Sequence, residues 1–233
     1  MARPVAEAID PARVREHLDA IGLRIAEACN LAGRNPGEVE LLAATKYVAP
    51  EAMGALAEAG ILLVGENTAQ ALAAKQKLWG DRFVWDFIGH LQSRKTKQVL
   101  PLVRLIHSVE SESVLAQIER HATGPARVLL EVNLAGESSK QGVAPPEVDR
   151  FIQLASSCEH VVFGGLMTMP PFADSPEQSR PHFAALRELA ERLCRDWAPR
   201  HEFTALSMGT SQDYGVAVEE GATIVRLGSV LYA

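Results

Sequence analysis

The chain has 233 residues, of which 47% are apolar, and a formal charge of -6. That is enough apolar sequence for one full core, and too acidic a surface for nucleic acid or an anionic membrane to be the main partner. Cys29, Cys158 and Cys194 are odd in number, widely separated and form no CxxC pair, which argues against a disulfide framework or a zinc knuckle and for a reducing cytoplasmic setting. The opening MARPVAEAIDPARVREHLDA has no basic-then-apolar leader pattern, and no apolar run approaches the length of a membrane span. One domain over residues 1–233 is therefore expected, with residues 1–36 forming a helix that packs on it.

From Val14 to Leu31, Leu18, Ile21, Ile25 and Ala28 recur at three- and four-residue steps, which predicts an amphipathic helix ended by Gly33 and Pro36. Short runs rich in Val, Ile, Leu and Phe follow: VELLAATK from Val39, ILLVGEN from Ile61, FVWDFIG from Phe83 and LIHSVE from Leu105. ARVLLEVN from Ala126, VVFGGLMTM from Val161, FTALSMG from Phe203 and TIVRLGS from Thr223 complete the set. Most are continuously apolar, as parallel strands buried on both faces require. Helix signals lie between them at Pro50, Ser111, Pro145-Pro146-Glu147 and Pro176-Glu177. The segment from Pro176 carries Phe183, Leu186, Ala190, Leu193 and Trp197 on one stripe. Eight strands alternating with helices predict an α/β fold, a (β/α)8 barrel of the TIM type. No GxGxxG follows the first strand to favour an open dinucleotide-binding sheet. The last strand stands so near Ala233 that no helix is expected after it, and the spare N-terminal helix is expected to cover that gap.

Chemistry in such barrels gathers at the C-terminal strand ends, with phosphate at the loops after strands 7 and 8. Those ends read Thr45-Lys46, Glu66-Asn67, Gly89-His90, Ser108, Asn133, Met167-Thr168, Ser207-Met208-Gly209 and Gly228-Ser229. The hydroxyls and glycine of SMGTSQD, with the Gly228-Ser229 turn, suit an anion approached closely by backbone N–H groups. Strand 8 closes against strand 1, so a phosphate there would place its organic part near Lys46. An amine beside a phosphate pocket suggests a phosphorylated aldehyde, pyridoxal 5'-phosphate being the obvious candidate. Arg226, two residues before Gly228, projects to the same side, and a pyridine nitrogen could accept from it. Because arginine stays protonated, that nitrogen would have to stay neutral, leaving the ring a weak electron sink.

LLAATKYVAP, GENTAQ, DFIGHLQSRKTKQ, ESSKQG, GLMTMPPF and SMGTSQDYGVAVEEGATIVRLGSVLYA, running from Leu41 to the C-terminus, resemble the pyridoxal-phosphate homeostasis protein family. Its fold is similar to the barrel domain of alanine racemase. The resemblance implies pyridoxal phosphate covalently attached to Lys46 as a Schiff base. It also implies Ser207, Gly209, Ser211, Gly228 and Ser229 around the phosphate, Arg226 at the pyridine nitrogen, and Asn67 and Met167 along the ring. Thr210 departs from the methionine more usual there, which touches local packing only. The amine must lose its proton to attack an aldehyde, and partial burial of Lys46 beside Arg226 is expected to favour that form.

Read without the motif, Arg226 is as well explained as a structural ion-pair partner, and each Gly-Ser turn as an ordinary loop. His90 and His107 are more simply satisfied histidines than ligand contacts. Arg94, Lys95 and Lys97 form a solvated helix start that could steer an anion inward. Lys140 reads as a solvated loop lysine, or more sharply as a second amine for the cofactor. Two functions follow from the resemblance: a non-catalytic carrier that buffers pyridoxal phosphate or delivers it to apo-enzymes, and an amino-acid racemase. Alanine racemase uses a tyrosine as second base with the help of a separate β-domain. Here Tyr47 is expected to alternate away from Lys46, Tyr232 is terminal, and Tyr214 lies by the phosphate turn. The carrier reading, as a monomer and without catalytic residues, is the expectation.

Overall fold

In the computed structural model, which describes residues 5–136 and 141–232, eight parallel strands close into one barrel. They are β1 (Glu40–Ala44), β2 (Leu63–Glu66), β3 (Val84–Phe87), β4 (Leu105–Val109), β5 (Ala126–Glu131), β6 (Val161–Met167), β7 (Ala205–Thr210) and β8 (Ile224–Leu227). Each lies within the apolar run that predicts it, except that β7 extends one residue further, to Thr210. β1 pairs with both β2 and β8, which closes the ring. The helices alternate with the strands: α1 (Pro11–Leu31) precedes β1, followed by α2 (Met53–Glu58), α3 (Ala69–Trp79), α4 (Thr96–Val99), α5 (Glu112–His121), α6 (Val148–Ala155), α7 (Arg180–Trp197) and α8 (Tyr214–Glu219).

Local chemistry explains the helix starts. Asp10 caps α1 by accepting from Ala12 N at 2.9 Å, and Ser111 caps α5 by accepting from Val114 N at 3.4 Å. Pro50, Pro145 and Pro176 each open a short 3-10 turn that leads into α2, α6 and α7. On α7 the stripe Phe183, Leu186, Ala190 and Leu193 is buried, as its spacing predicts.

The end of the chain differs from expectation. A one-turn helix α9 (Ser229–Tyr232) follows β8, because Tyr232 folds back so that its hydroxyl donates to the Ala44 carbonyl across the β1–β8 seam. The seam is covered from outside by α1, which packs on α8 and α9. His17 Nδ1 meets the Leu231 carbonyl at 2.9 Å, and Arg34 donates to the Val218 and Ala222 carbonyls at 2.7 and 3.0 Å.

Inside the barrel the side chains fall into layers. Leu42, Leu105, Leu129, Met167 and Ile224 form a buried apolar layer, with Leu63, Ile88 and Ala205 against it. Two residues further along β4, β5, β7 and β8 the same inward face carries His107, Glu131, Ser207 and Arg226. All four are buried, so an apolar plug supports a polar layer directly below the C-terminal mouth.

Candidate functional site

A cleft of about 520 Å³ opens at that mouth, lined by residues including Lys46, Tyr47, Asn67, Met169, Phe172, Thr210, Ser211, Arg226, Gly228 and Ser229. A second cavity of about 480 Å³ lies at the starts of β4 and β5, lined by residues that include Lys97, Arg104, His121 and Arg127. Barrel chemistry does not sit at that lower end.

Lys46 stands two residues past the end of β1, in a turn, with its ammonium group 5.1 Å from the centre of the Tyr47 ring. Its base is rigidly held. Thr45 is buried; its N–H donates to the Gly65 carbonyl at 3.0 Å and its hydroxyl to Glu66 Oε1 at 2.6 Å. Lys75 of α3 reaches in to donate to the Thr45 carbonyl at 2.7 Å and to Glu66 Oε1 at 2.5 Å. A buried ion pair thus ties the ends of β1 and β2 just beneath Lys46 and Asn67. A Cβ on Gly89 would come within 2.1 Å of the Asn67 carbonyl oxygen, so only glycine there lets the end of β3 pass this close.

Arg226 is enclosed, and burial lowers its pKa to about 10 against the opposing pull of Glu131 and Asp213. It remains a cation at neutral pH. Its Nη1 donates to the Ser207 carbonyl at 2.7 Å and the Ser207 hydroxyl at 2.5 Å; its Nη2 donates to the Thr168 carbonyl at 2.9 Å and meets Met169 Sδ at 3.1 Å. Four of the five guanidinium hydrogens are therefore committed to the barrel, and Nε–H is the one left for a ligand among the described residues.

The turns after β7 and β8 are joined, since Gly228 N–H donates to Ser211 Oγ at 3.1 Å. Asp213 Oδ1 accepts from Thr210 N and Oγ1 at 2.7 and 3.1 Å, which fixes the start of α8. Gly209 has φ +88, and a Cβ there would lie 2.6 Å from the Ala217 Cβ and 3.0 Å from the Tyr214 Cα. Gly209→Ala is expected to lower stability by about 1–3 kcal/mol, read as an earlier denaturation midpoint. An unchanged midpoint would show that the turn accommodates a side chain without strain.

Of the residues singled out in the sequence, Lys46, Asn67, Ser211, Arg226, Gly228 and Ser229 meet in the cleft. Met167, Ser207 and Gly209 do not line it. Met167 belongs to the apolar layer, and Met169, past the end of β6, lines the cleft instead. Ser207 lies one layer down, its hydroxyl between Arg226 and His107. Lys46 is exposed rather than partly buried. Tyr47 does not point away from it, because β1 ends at Ala44 and the alternation ends with the strand. Tyr232, placed at the terminus by sequence, reaches the Ala44 carbonyl. His90 is exposed and pairs with Glu110 at 2.7 Å. Arg94 and Lys95 line a groove that shares Asn67 with the cleft. Lys140 lies outside the described residues. Phe172, 88% exposed, and Gln212 complete a rim that sequence reasoning missed. Only the short distance of Phe172 from the β6 end pointed to it.

The profile described as the alanine racemase N-terminal domain matches residues 17–233. A pyridoxal phosphate homeostasis protein of Aquifex aeolicus is 38% identical, over 93% of this chain and 96% of its own. The chain belongs to the pyridoxal phosphate homeostasis protein family. A relative of the same name from Pseudomonas aeruginosa is 35% identical, over 94% of each chain. Among solved structures similar to this member of the family, PipY of Synechococcus elongatus with PLP bound has a TM-score of 0.78 and 31% identity, covering 90% of this chain and 100% of its own. An alanine racemase of Clostridium difficile superposes with a TM-score of 0.71 at 14% identity, which is likeness of fold alone.

Proposed function

We propose that this protein binds pyridoxal 5'-phosphate in the C-terminal cleft, holds it as a reversible Schiff base on Lys46, and buffers or delivers it without catalysing turnover. The observation that carries this reading is the meeting of Lys46, Arg226 and the β7 and β8 turns in one cleft of about 520 Å³, within the size range of small-molecule sites. The donor set fits the cofactor. Lys46 would hold the cofactor through its amine, which in the unprotonated form could join the aldehyde with loss of water, a linkage that water or another amine would reverse. The Arg226 Nε–H, left over when Nη1 and Nη2 are committed to the barrel, would be the donor to the ring nitrogen. The Gly228 N–H is already given to Ser211 Oγ, so the Ser229 N–H at the start of α9 and the Ser211 hydroxyl hydrogen are the donors that would meet the phosphate. Asn67 and Met169 flank the space between, and Arg94 and Lys95 beside Asn67 favour entry of an anion.

When bound, the cofactor supplies an aldehyde and an electron-accepting ring. Arg226, protonated at neutral pH, would keep the ring nitrogen neutral and so limit the ring to weak acceptance. Tyr47 stands on the same turn as Lys46 and does not provide a base on an opposite face. Both features support holding over racemisation, and the family name of the Aquifex and Pseudomonas relatives agrees with that reading.

The test is to add pyridoxal phosphate, reduce with borohydride and map the modified peptide. Label on Lys46, lost in Lys46→Ala, is expected; no label, or label only on other lysines, overturns the assignment. Amino acids added in D₂O should then exchange their Cα hydrogens only slowly, whereas rapid exchange with inversion would make the protein a racemase.

A further inference from the structure

We propose that Asp86, His107 and Ser207 are positioning residues for the cofactor, a buried relay that fixes Arg226 through one defined tautomer of His107. The consequence for the ring nitrogen rests on the reading of the cleft given above; the relay itself stands on the barrel interior.

The hydrogen-bond logic runs in one direction. Ser207 Oγ accepts from Arg226 Nη1 at 2.5 Å, so the hydroxyl hydrogen is free to go elsewhere, and His107 Nδ1 lies 2.8 Å away. Arg226 is a donor only, so of the two partners of this oxygen His107 Nδ1 is the one that can accept the hydroxyl hydrogen, and it does so through its lone pair. The ring hydrogen is then on Nε2, which meets Asp86 Oδ2 at 3.1 Å. Asp86 is held from its other side by Arg104, whose Nε and Nη2 donate to Oδ1 and Oδ2 at 3.1 and 2.8 Å. Arg104 in turn pairs with Glu40 at 2.8 Å. A continuous path therefore runs from the lower rim of β1, through β3, β4 and β7, to the cation at the cleft.

Only the neutral Nε2–H form of His107 places every hydrogen on an acceptor. A hydrogen on Nδ1 would face the Ser207 oxygen already used by Arg226, and would leave the hydroxyl hydrogen without its acceptor. Asp86, His107 and Ser207 are each 0% exposed, so no solvent can repair such a mismatch. The environment favours the same state. Burial drives the His107 pKa down, with the cations Arg226 and Arg104 acting in the same sense and Asp86 opposing them. Burial alone would raise the Asp86 pKa, yet the hydrogen bonds from His107 and Arg104 hold it below the usual carboxylate range. A carboxylate, a neutral imidazole and a hydroxyl in series thus keep Arg226 Nη1 turned into the barrel and leave its Nε–H, among the described residues, for the cleft that Arg226 lines.

Sequence spacing explains why these residues meet. His107, Ser207 and Arg226 each follow, by two positions, a member of the inward apolar face: Leu105, Ala205 and Ile224. A barrel whose middle layer served stability alone would be filled by branched apolar side chains at these positions.

One measurement tests the relay independently of cofactor binding, and two variants test its effect on the bound cofactor. Long-range ¹H–¹⁵N correlation of the protein without cofactor at pH 7 should find His107 neutral with its hydrogen on Nε2; a hydrogen on Nδ1, or an imidazolium, overturns the relay. Ser207→Ala should still be labelled at Lys46 by pyridoxal phosphate and borohydride, with a shifted absorption maximum and a Kd raised about tenfold, the equivalent of one hydrogen bond to a charged group. Asp86→Asn, a near-isosteric change, should move both the His107 nitrogen shifts and the cofactor band. Wild-type spectrum and affinity in both folded variants would overturn the positioning role. Failure of the wild type to take label at Lys46 would instead defeat the cofactor reading, with the tautomer result standing on its own.

Discussion

Lys75→Met is expected to destabilise the protein by about 3–5 kcal/mol, the usual result of removing one partner from a buried ion pair. Lys75 and Glu66 are 4% and 0% exposed at their side chains and 2.5 Å apart. The variant would leave the Glu66 carboxylate in the core with only the Thr45 hydroxyl to satisfy it. Glu66 Oε2 already lacks a hydrogen-bond partner, so there is no second contact to take up the loss. The Thr45 carbonyl would also lose its Lys75 donor. Because Thr45 directly precedes Lys46, weaker labelling of Lys46 should accompany the lower denaturant midpoint. The double variant Lys75→Met, Glu66→Gln removes the stranded charge and should recover part of the loss. A single-variant cost below about 1 kcal/mol would mean that water or a neighbouring donor reaches the carboxylate.

The same ion pair marks where sequence reading stops. The eight strands were legible because barrel strands buried on both faces leave continuous apolar runs, and Ser111, Pro50, Pro145 and Pro176 punctuate them by local chemistry. Lys46, Asn67, Arg226 and Gly228 were legible because strand ends and period-two alternation carry them to one mouth. The polar layer was not. His107 and Ser207 are 100 positions apart, and nothing near either residue names the other as its partner. Lys75 reads as an ordinary helix lysine until α3 is seen to lay it across the ends of β1 and β2. The direction of Tyr47 was misjudged for a related reason: alternation is a property of strand backbone, and the strand ends three residues earlier.

These particulars bear on chemistry as well as on fold. The cleft is lined by few side chains, but nearly every donor of Arg226 and the residue preceding Lys46 are fixed by groups from β2, β3, β4, β7, α3 and the turn after β6. Such support suits a site that must bind one small molecule in one pose. The Lys46 side chain is by contrast exposed, as reversible attachment would need more than a buried catalytic base would.

Glu131→Gln is expected to stabilise the protein by about 3 kcal/mol at pH 8 and by little near pH 4.5. Burial, reinforced by the charge of Glu110 and partly offset by Arg226, raises the Glu131 pKa from 4.5 to about 7. Between those values the folded protein holds a proton that the unfolded chain has released. The unfolded state then binds fewer protons, so stability falls as pH rises through this window, and the loss is complete once the folded carboxyl has ionised. Glutamine keeps the shape and never ionises, so the difference between variant and wild type should open with rising pH and level off above about pH 7. Denaturation at pH 5 and at pH 8 reads this directly, and an equal difference at the two values would show that the carboxyl titrates normally. Among the described residues Arg226 supplies the attractive charge in this balance, and its own pKa is in turn held up chiefly by Glu131. Losing the carboxylate should therefore make Arg226 a less firmly held cation, so a more stable protein that grips pyridoxal phosphate less well is the combined outcome expected of Glu131→Gln.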